Sequence, residues 1–190
     1  MIEIKRETKE TEIFVKLDIE GSGKYDIKTG IGFFDHMLES FSKHSQIDLE
    51  VECKGDIHVD FHHSVEDVGI VIGEALYKAI YPLQNRERFG DAIVVMDEAA
   101  VESALDLSNR PFLVYDVDID GKIGEFDAEL FEEFFRALVF NAKITAHIVK
   151  KRGKNRHHIA EAAFKSFAVA LRRALKINEK AHIPSTKGVV

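Results

Sequence analysis

The strongest constraint on how this chain can fold is that it repeats itself. The stretch Asp60-Phe61-His62-His63-Ser64-Val65-Glu66-Asp67 is answered 95 residues later by Asn155-Arg156-His157-His158-Ile159-Ala160-Glu161. Each copy reads His-His-x-x-Glu and opens an apolar-periodic segment, so the histidines stand at helical spacings from the glutamate. The spacing predicts one helical turn that gathers two imidazoles and a carboxylate. A divalent first-row metal takes nitrogen and oxygen donors of this kind, so the two turns point to two metal sites or one shared cluster.

The surroundings repeat as well. A helix is predicted after Gly30-Ile31-Gly32 with Phe34, Met37, Leu38 and Phe41 on one face, and Phe131, Phe134, Phe135 and Leu138 match it at an offset of 97. Thr11 to Glu20 alternates Ile13, Val15, Leu17 and Ile19 with more polar positions and reads as a half-buried strand. Ile47 to Cys53 reads as another, followed by a helix carrying Val65, Val68, Ile72, Leu76 and Ile80 that Pro82 ends. In the second half, strands are expected at Ala92 to Val95, Val101 to Leu107, Phe112 to Ile119 and Ile144 to Val149. Gly121 to Gly124 reads as a turn, Lys150 to Lys154 as a basic turn, and Phe164, Phe167, Ala168, Leu171 and Leu175 as the face of a last helix. Strands, helix, strand and helix, written twice, predict one α/β (α+β) domain over residues 1–190. It consists of two similar halves, about 1–90 and 91–176, and a tail over 177–190. The polar junction at 85–90 is short, so the halves are expected to pack as one unit.

Composition removes several classes of function. Hydrophobic residues at 45% and charged residues at 31% describe a folded globular protein rather than a disordered or fibrous one. No run of 18 apolar residues occurs, and Met1-Ile2-Glu3-Ile4-Lys5 lacks the pattern of a secretory signal, so no membrane partner and a cytoplasmic location are expected. The single cysteine, Cys53, excludes an intrachain disulfide and suits a reducing compartment. A formal net charge of −7 argues against nucleic acid as a partner, so an anionic ligand needs a local basic pocket.

Aligning the halves on their first helices puts Glu133 where the first half has His36. The donor set becomes His36, His62, His63 and Glu66 in one group, and Glu133, His157, His158 and Glu161 in the other. With no thiolate among them, Mn, Fe or Zn are allowed, and a six-coordinate Mn site with open positions is reasonable. His147, in an apolar strand, reads as a core or supporting residue rather than a ligand. Basic candidates are Arg88 and Arg110, each in a turn-like context, and Ser185-Thr186-Lys187-Gly188 in the tail. Hydroxyl, ammonium, free amides and guanidinium forks together suit a phosphate.

These motifs, in this order, resemble one family closely: imidazoleglycerol-phosphate dehydratase. The resemblance is carried by Thr8-Lys9-Glu10-Thr11, Phe34-Asp35-His36-Met37-Leu38 with His44, both double-histidine stretches, Arg88-Phe89-Gly90, Asp106-Leu107-Ser108-Asn109-Arg110-Pro111 and Ser185-Thr186-Lys187-Gly188. It covers nearly the whole chain. It implies helices packed between two four-stranded sheets, and a homo-oligomer of 24 subunits built from trimers, with active sites between subunits that each hold two Mn²⁺ ions. The implied reaction, a step of histidine biosynthesis, removes water from imidazole glycerol phosphate to give imidazole acetol phosphate. A carboxylate must move protons in that reaction; Glu10 is the first candidate, with Glu66 and Glu161 behind it. The resemblance also implies that Arg88, Arg110, Lys165, Ser185, Thr186 and Lys187 hold the phosphate, with Glu10 and His44 beside the substrate. One departure stands out: many members carry histidine where this chain has Glu133, a residue that can still ligate.

Overall fold

The computed structural model describes residues 1–188 and 190. The first half runs β1 (Ile2–Glu7), β2 (Thr11–Asp18), β3 (Tyr25–Lys28), α1 (Gly32–Ser45), β4 (Asp48–Gly55) and α2 (His62–Ile80). The second runs β5 (Phe89–Met96), β6 (Ala99–Asp106), β7 (Phe112–Asp116), a small hairpin of β8 (Lys122–Ile123) and β9 (Phe126–Asp127), α3 (Leu130–Ala142), β10 (Thr145–Arg152) and α4 (Arg156–Ala174). Each half makes one four-stranded sheet, in the order β1-β2-β4-β3 and β5-β6-β10-β7. In both, the first three strands in spatial order are antiparallel and the last strand is parallel to its neighbour. The repetition in sequence is therefore a repetition in topology, and the fold is α+β with two matched halves.

The helices fill the space between the sheets. α1 and α2 cover the first sheet and α3 and α4 the second, while α2 lies along α3 and α1 along α4. The close approach of α2 to α3 depends on two glycines: a Cβ on Gly69 would sit 2.9 Å from the Phe134 carbonyl oxygen, and one on Gly73 would sit 2.6 Å from that of Leu138. Gly90 allows the equivalent approach of β5 to α4, where a Cβ would meet the Ala170 carbonyl oxygen at 2.1 Å. Between the layers lie Phe34, Phe41, Phe131, Phe134, Phe135, Phe164 and Phe167, all fully buried. Their edge-to-face and offset contacts run from Phe34–Phe134 at 5.3 Å to Phe135–Phe164 at 4.8 Å and Phe41–Phe167 at 6.2 Å. Burying each such ring stabilises the fold by about 1.5–3 kcal/mol, so this cluster is what joins the halves.

The outer faces of the sheets differ. On the first, Glu3 pairs with Lys16 at 3.0 Å and Glu12 with Lys54 at 3.6 Å. On the second, Phe89, Ile93, Val95 and Phe112 stand 58–70% exposed on the strands β5 and β7. No helix is long and apolar enough to cross a membrane among the described residues.

Several boundaries differ from the sequence expectation. β1 lies outside it altogether; it is an edge strand whose Glu3, Lys5 and Glu7 face outward while Ile4 is buried, so little apolar alternation marks it. β10 continues to Arg152 through part of the expected basic turn, because Lys151 pairs with Glu102 on β6 and Lys150 with Asp118 at 3.5 Å. β7 ends at Asp116 rather than Ile119, and the expected glycine turn is the hairpin β8–β9 with Gly121 and Gly124 at φ of 75° and 60°. His147 is not core: it alternates with buried Ala146 and Ile148 and is exposed on the outer face of β10.

Candidate active site

Both double-histidine stretches open a helix, as their spacing predicts. α4 begins at Arg156, capped by Asn155, whose side-chain oxygen accepts from the His157 and His158 amides. α2 begins at His62, whose amide donates to Asp60 Oδ1 at 2.8 Å. In neither copy do both imidazoles converge on the glutamate. Adjacent helical residues point about 100° apart, and the two rings of each pair stand 6.2 Å apart and nearly perpendicular. The first histidine faces its glutamate: His157 Nε2 lies 3.1 Å from Glu161 Oε2, and His62 Nε2 lies 3.7 Å from Glu66 Oε2.

Among the described residues, only the second copy acquires a third donor. His36, on α1, places Nε2 3.6 Å from the same Glu161 oxygen. Among the described residues, His36, His157 and Glu161 are the one group of such side chains whose donor atoms all lie within 4.8 Å of one another. His36 therefore joins the second-half turn, not the first-half group in which the sequence alignment placed it, because α1 packs along α4 and not α2. Glu161 is nearly buried. Burial alone would raise its pKa, but the Lys165 ammonium at 2.7 Å, with His36 and His157, outweighs this and holds it below the ordinary carboxylate value. Lys165 is thus placed beside the donor cluster. His44, on α1, is pushed below the ordinary imidazole value by burial and then by Lys165 and Arg172, which favours its neutral form near pH 7.

The first-half turn is more open. Glu66 is 44% exposed, against 8% for Glu161, and His62 has no partner of the His36 kind among the described residues. Glu133, the positional counterpart of His36, is half-buried on α3 and makes no side-chain hydrogen bond or ion pair among those found in the described residues. No hydrogen bond or ion pair joins this turn to the one on α4 among the described residues.

The second histidine of each pair is held from behind. His63 Nδ1 lies 3.0 Å from Asp56 Oδ2, with Glu10 Oε2 3.8 Å from its Nε2. His158 Nδ1 lies 2.7 Å from Glu98 Oε2. These contacts raise both imidazole pKa values above 6.5, and the His158 contact, together with the Asn155 and Lys154 amides, brings Glu98 down to about 2. Asp56 and Glu98 are not singled out by the sequence. A usable signal exists for Glu98: it immediately precedes the second strand of its sheet, as Glu10 does.

The basic candidates gather elsewhere. Arg88, Arg110, Ser185, Thr186 and Lys187 line one open pocket of about 460 Å³ together with Ser108 and Asn109. Arg88 donates to Asp106 from Nε at 2.7 Å and Nη2 at 3.1 Å and to the Pro184 carbonyl at 2.8 Å, so it pins the tail as well as facing the pocket. The tail is tied down further by Asn85, whose amide donates to the His182 carbonyl at 2.7 Å. The Arg88 amide donates to the Ala174 carbonyl at the far end of α4. Thirteen residues of helix separate Ala174 from Glu161, a rise of about 20 Å, so the pocket and the donor cluster lie at opposite ends of α4.

Fold and site define a class: two-half α+β sandwiches that carry histidine–carboxylate clusters at helix starts and a separate anion-type pocket. A family profile described as imidazoleglycerol-phosphate dehydratase matches residues 29–171. The imidazoleglycerol-phosphate dehydratase of a Nitratiruptor species is 72% identical over 190 residues, covering 100% of both chains, and that of Campylobacter hominis is 68% identical with the same coverage. The crystal structure of the Pyrococcus furiosus protein in complex with (S)-C348 superposes with a TM-score of 0.85 at 40% identity, covering 98% of this chain and 100% of the other. The chain belongs to the imidazoleglycerol-phosphate dehydratase family.

Proposed function

We propose that this protein is a cytoplasmic lyase of histidine biosynthesis that dehydrates imidazole glycerol phosphate to imidazole acetol phosphate. We further propose that it uses two Mn²⁺ ions per active site in a 24-subunit homo-oligomer. The observation that carries the reading is the convergence of His36, His157 and Glu161 in a chain of this family. The donor set fits a metal. Two donors about 2.1 Å from one ion at right angles lie about 3 Å apart, and the separations here are 3.1 and 3.6 Å. Glu161 is held ionised, and the only thiol, Cys53, is buried and raised to about 11 by desolvation.

His36, His157 and Glu161 would hold one ion, and His62, His63, Glu66, Glu133 and His158 supply the remaining donors. The metal would supply Lewis-acid polarisation of the substrate imidazole. The chain's own groups do the rest. Glu10, 53% exposed and 3.8 Å from His63 Nε2, is free to take a proton from a substrate carbon and return it. Arg110, Ser185, Thr186 and Lys187, with the unspent N–H groups of Arg88, bind the phosphate, while Lys165, which the resemblance also assigns to the phosphate, stands with neutral His44 beside Glu161 in the same chain.

Self-association is supported by two observations. The apolar outer face of the second sheet calls for a cover. The anion pocket and the donor cluster are about 20 Å apart along α4, a greater distance than a small phosphorylated imidazole spans, so a complete site takes its parts from different subunits. The test is incubation of the pure protein with Mn²⁺ and imidazole glycerol phosphate. An enolisable ketone is expected; release of inorganic phosphate would indicate a hydrolase, and binding without turnover a metal-holding shell.

A further inference from the structure

Glu10 and Glu98 occupy corresponding places. Each is the last residue before the second strand of its sheet, and each faces the second histidine of its half. Their surroundings are different. Glu98 sits in a two-residue turn, with Met96 paired to Ala99 and Asp97 at a φ of 46°. Its carboxylate is fully engaged: Oε1 accepts from the Lys154 amide at 3.1 Å and the Asn155 amide at 2.8 Å, and Oε2 meets His158 Nδ1 at 2.7 Å. Glu10 sits in a longer connection, between Glu7 and Glu12, that is braced without it. Thr8 Oγ1 accepts from the Glu10 and Thr11 amides at 3.1 and 3.0 Å, and Thr11 Oγ1 donates to Asp67 on α2 at 2.5 Å. The Glu10 carboxylate makes no hydrogen bond among the described residues; its nearest imidazole nitrogen, His63 Nε2, is 3.8 Å away.

In the first half the back of the histidine ring is taken by a different residue. Asp56, just beyond β4, places Oδ2 3.0 Å from His63 Nδ1. Its other oxygen is buried without a hydrogen-bond partner among the described residues, where the His63 contact is the interaction that accounts for a carboxylate at this position. A carboxylate accepting from Nδ1–H fixes the ring and leaves the Nε2 lone pair available to a metal.

We infer that Asp56 and Glu98 are positioning residues with the same task, each fixing the second imidazole of its half. Because Asp56 performs this task for His63, Glu10 is released to move a proton, whereas its counterpart Glu98 is not. The chain would then contain one proton-moving carboxylate and not two, despite its internal symmetry. The assignment of Glu10 rests on the proposed dehydration; the assignments of Asp56 and Glu98 do not.

The test separates metal binding from turnover. In the full-length protein without substrate, Mn²⁺ titration followed by electron paramagnetic resonance should show binding weakened about 10–100-fold by Asp56→Ala and by Glu98→Ala. Glu10→Ala should leave it within about twofold of the parent, and with imidazole glycerol phosphate Glu10→Ala should lower kcat by about 10²–10⁴-fold at any Mn²⁺ concentration. The losses in the other two variants should be relieved by added Mn²⁺. Asp56→Asn and Glu98→Gln keep an acceptor oxygen and should recover part of the affinity, which separates ring positioning from misfolding. Unchanged Mn²⁺ binding in Asp56→Ala or Glu98→Ala, or equal weakening in Glu10→Ala, overturns the division of roles. If the Mn²⁺ pattern appears but no ketone forms with the parent protein, the positioning assignments stand and the proposed reaction falls.

Discussion

The helix starts at His62 and His157 carry the same motif and make different sites. His157 and Glu161 are joined by His36 across the helix layer, and Lys165 stabilises the buried carboxylate. At His62 and Glu66 the counterpart of His36 is Glu133, which engages neither, and the residue one turn beyond Glu66 is Ile70 where α4 has Lys165. A motif therefore fixes which donors are offered, while the neighbouring helix decides whether they are assembled. The second turn is preformed within one chain and the first is left open.

The largest effect should come from breaking the preformed site. Glu161→Ala or His157→Ala is expected to lower turnover by about 100-fold or more and to reduce bound metal. His62→Ala should also reduce both, because the proposed ions draw on both turns; unchanged metal content in both histidine variants would remove the assignment. At the other end of α4, Lys187→Ala should raise KM about tenfold with metal content constant, and a normal KM would return the tail to a passive role. Thorough chelation should dissociate the oligomer as seen by size-exclusion chromatography, since the open turn is the one that needs a partner; an assembly that survives chelation counts against this.

Two smaller effects sharpen the comparison. Gly73→Ala should cost about 1–3 kcal/mol in denaturant unfolding by forcing α2 away from α3, whereas the corresponding position on α4 is already Ala168. In the metal-free protein, His63 and His158 have pKa values raised above 6.5 by Asp56 and Glu98. That contribution is fully present below pH 6.5 and is lost as pH rises through the raised folded values. Metal-free stability should therefore fall as pH rises above 6.5 while Mn²⁺ affinity grows, because the metal needs the neutral ring. Parallel pH trends for the two would contradict the arrangement. The smallest change is expected from Glu133→His: about a fewfold tighter Mn²⁺ binding, if that position serves the open turn.

The repeat is legible in the chain because the His-His-x-x-Glu spacing and the phenylalanine-rich helix faces are local patterns, and both helix starts fall at the histidines. β2 and β4 are legible for the same reason. What is not legible depends on contacts between distant elements. The pairing of α1 with α4 moves His36 into the second-half site, and no periodicity within either helix specifies that pairing. Asp56 escapes a sequence reading, and Glu98 offers only its place before a strand, because a carboxylate after a strand or in a turn looks solvated until the ring it meets is in place. β1 escapes it because an edge strand with one charged face has only Ile2 and Ile4 to mark it.

The distance along α4 has a genetic consequence. If each working site takes its donor cluster from one subunit and its anion pocket from another, two impaired variants can complement each other when assayed at substrate well below the raised KM. Subunits carrying His157→Ala and subunits carrying Lys187→Ala, dissociated, mixed in equal amounts and reassembled, would pair an intact cluster with an intact pocket in about one quarter of sites. Neither parent would recover alone, and the restored fraction would follow the mixing ratio.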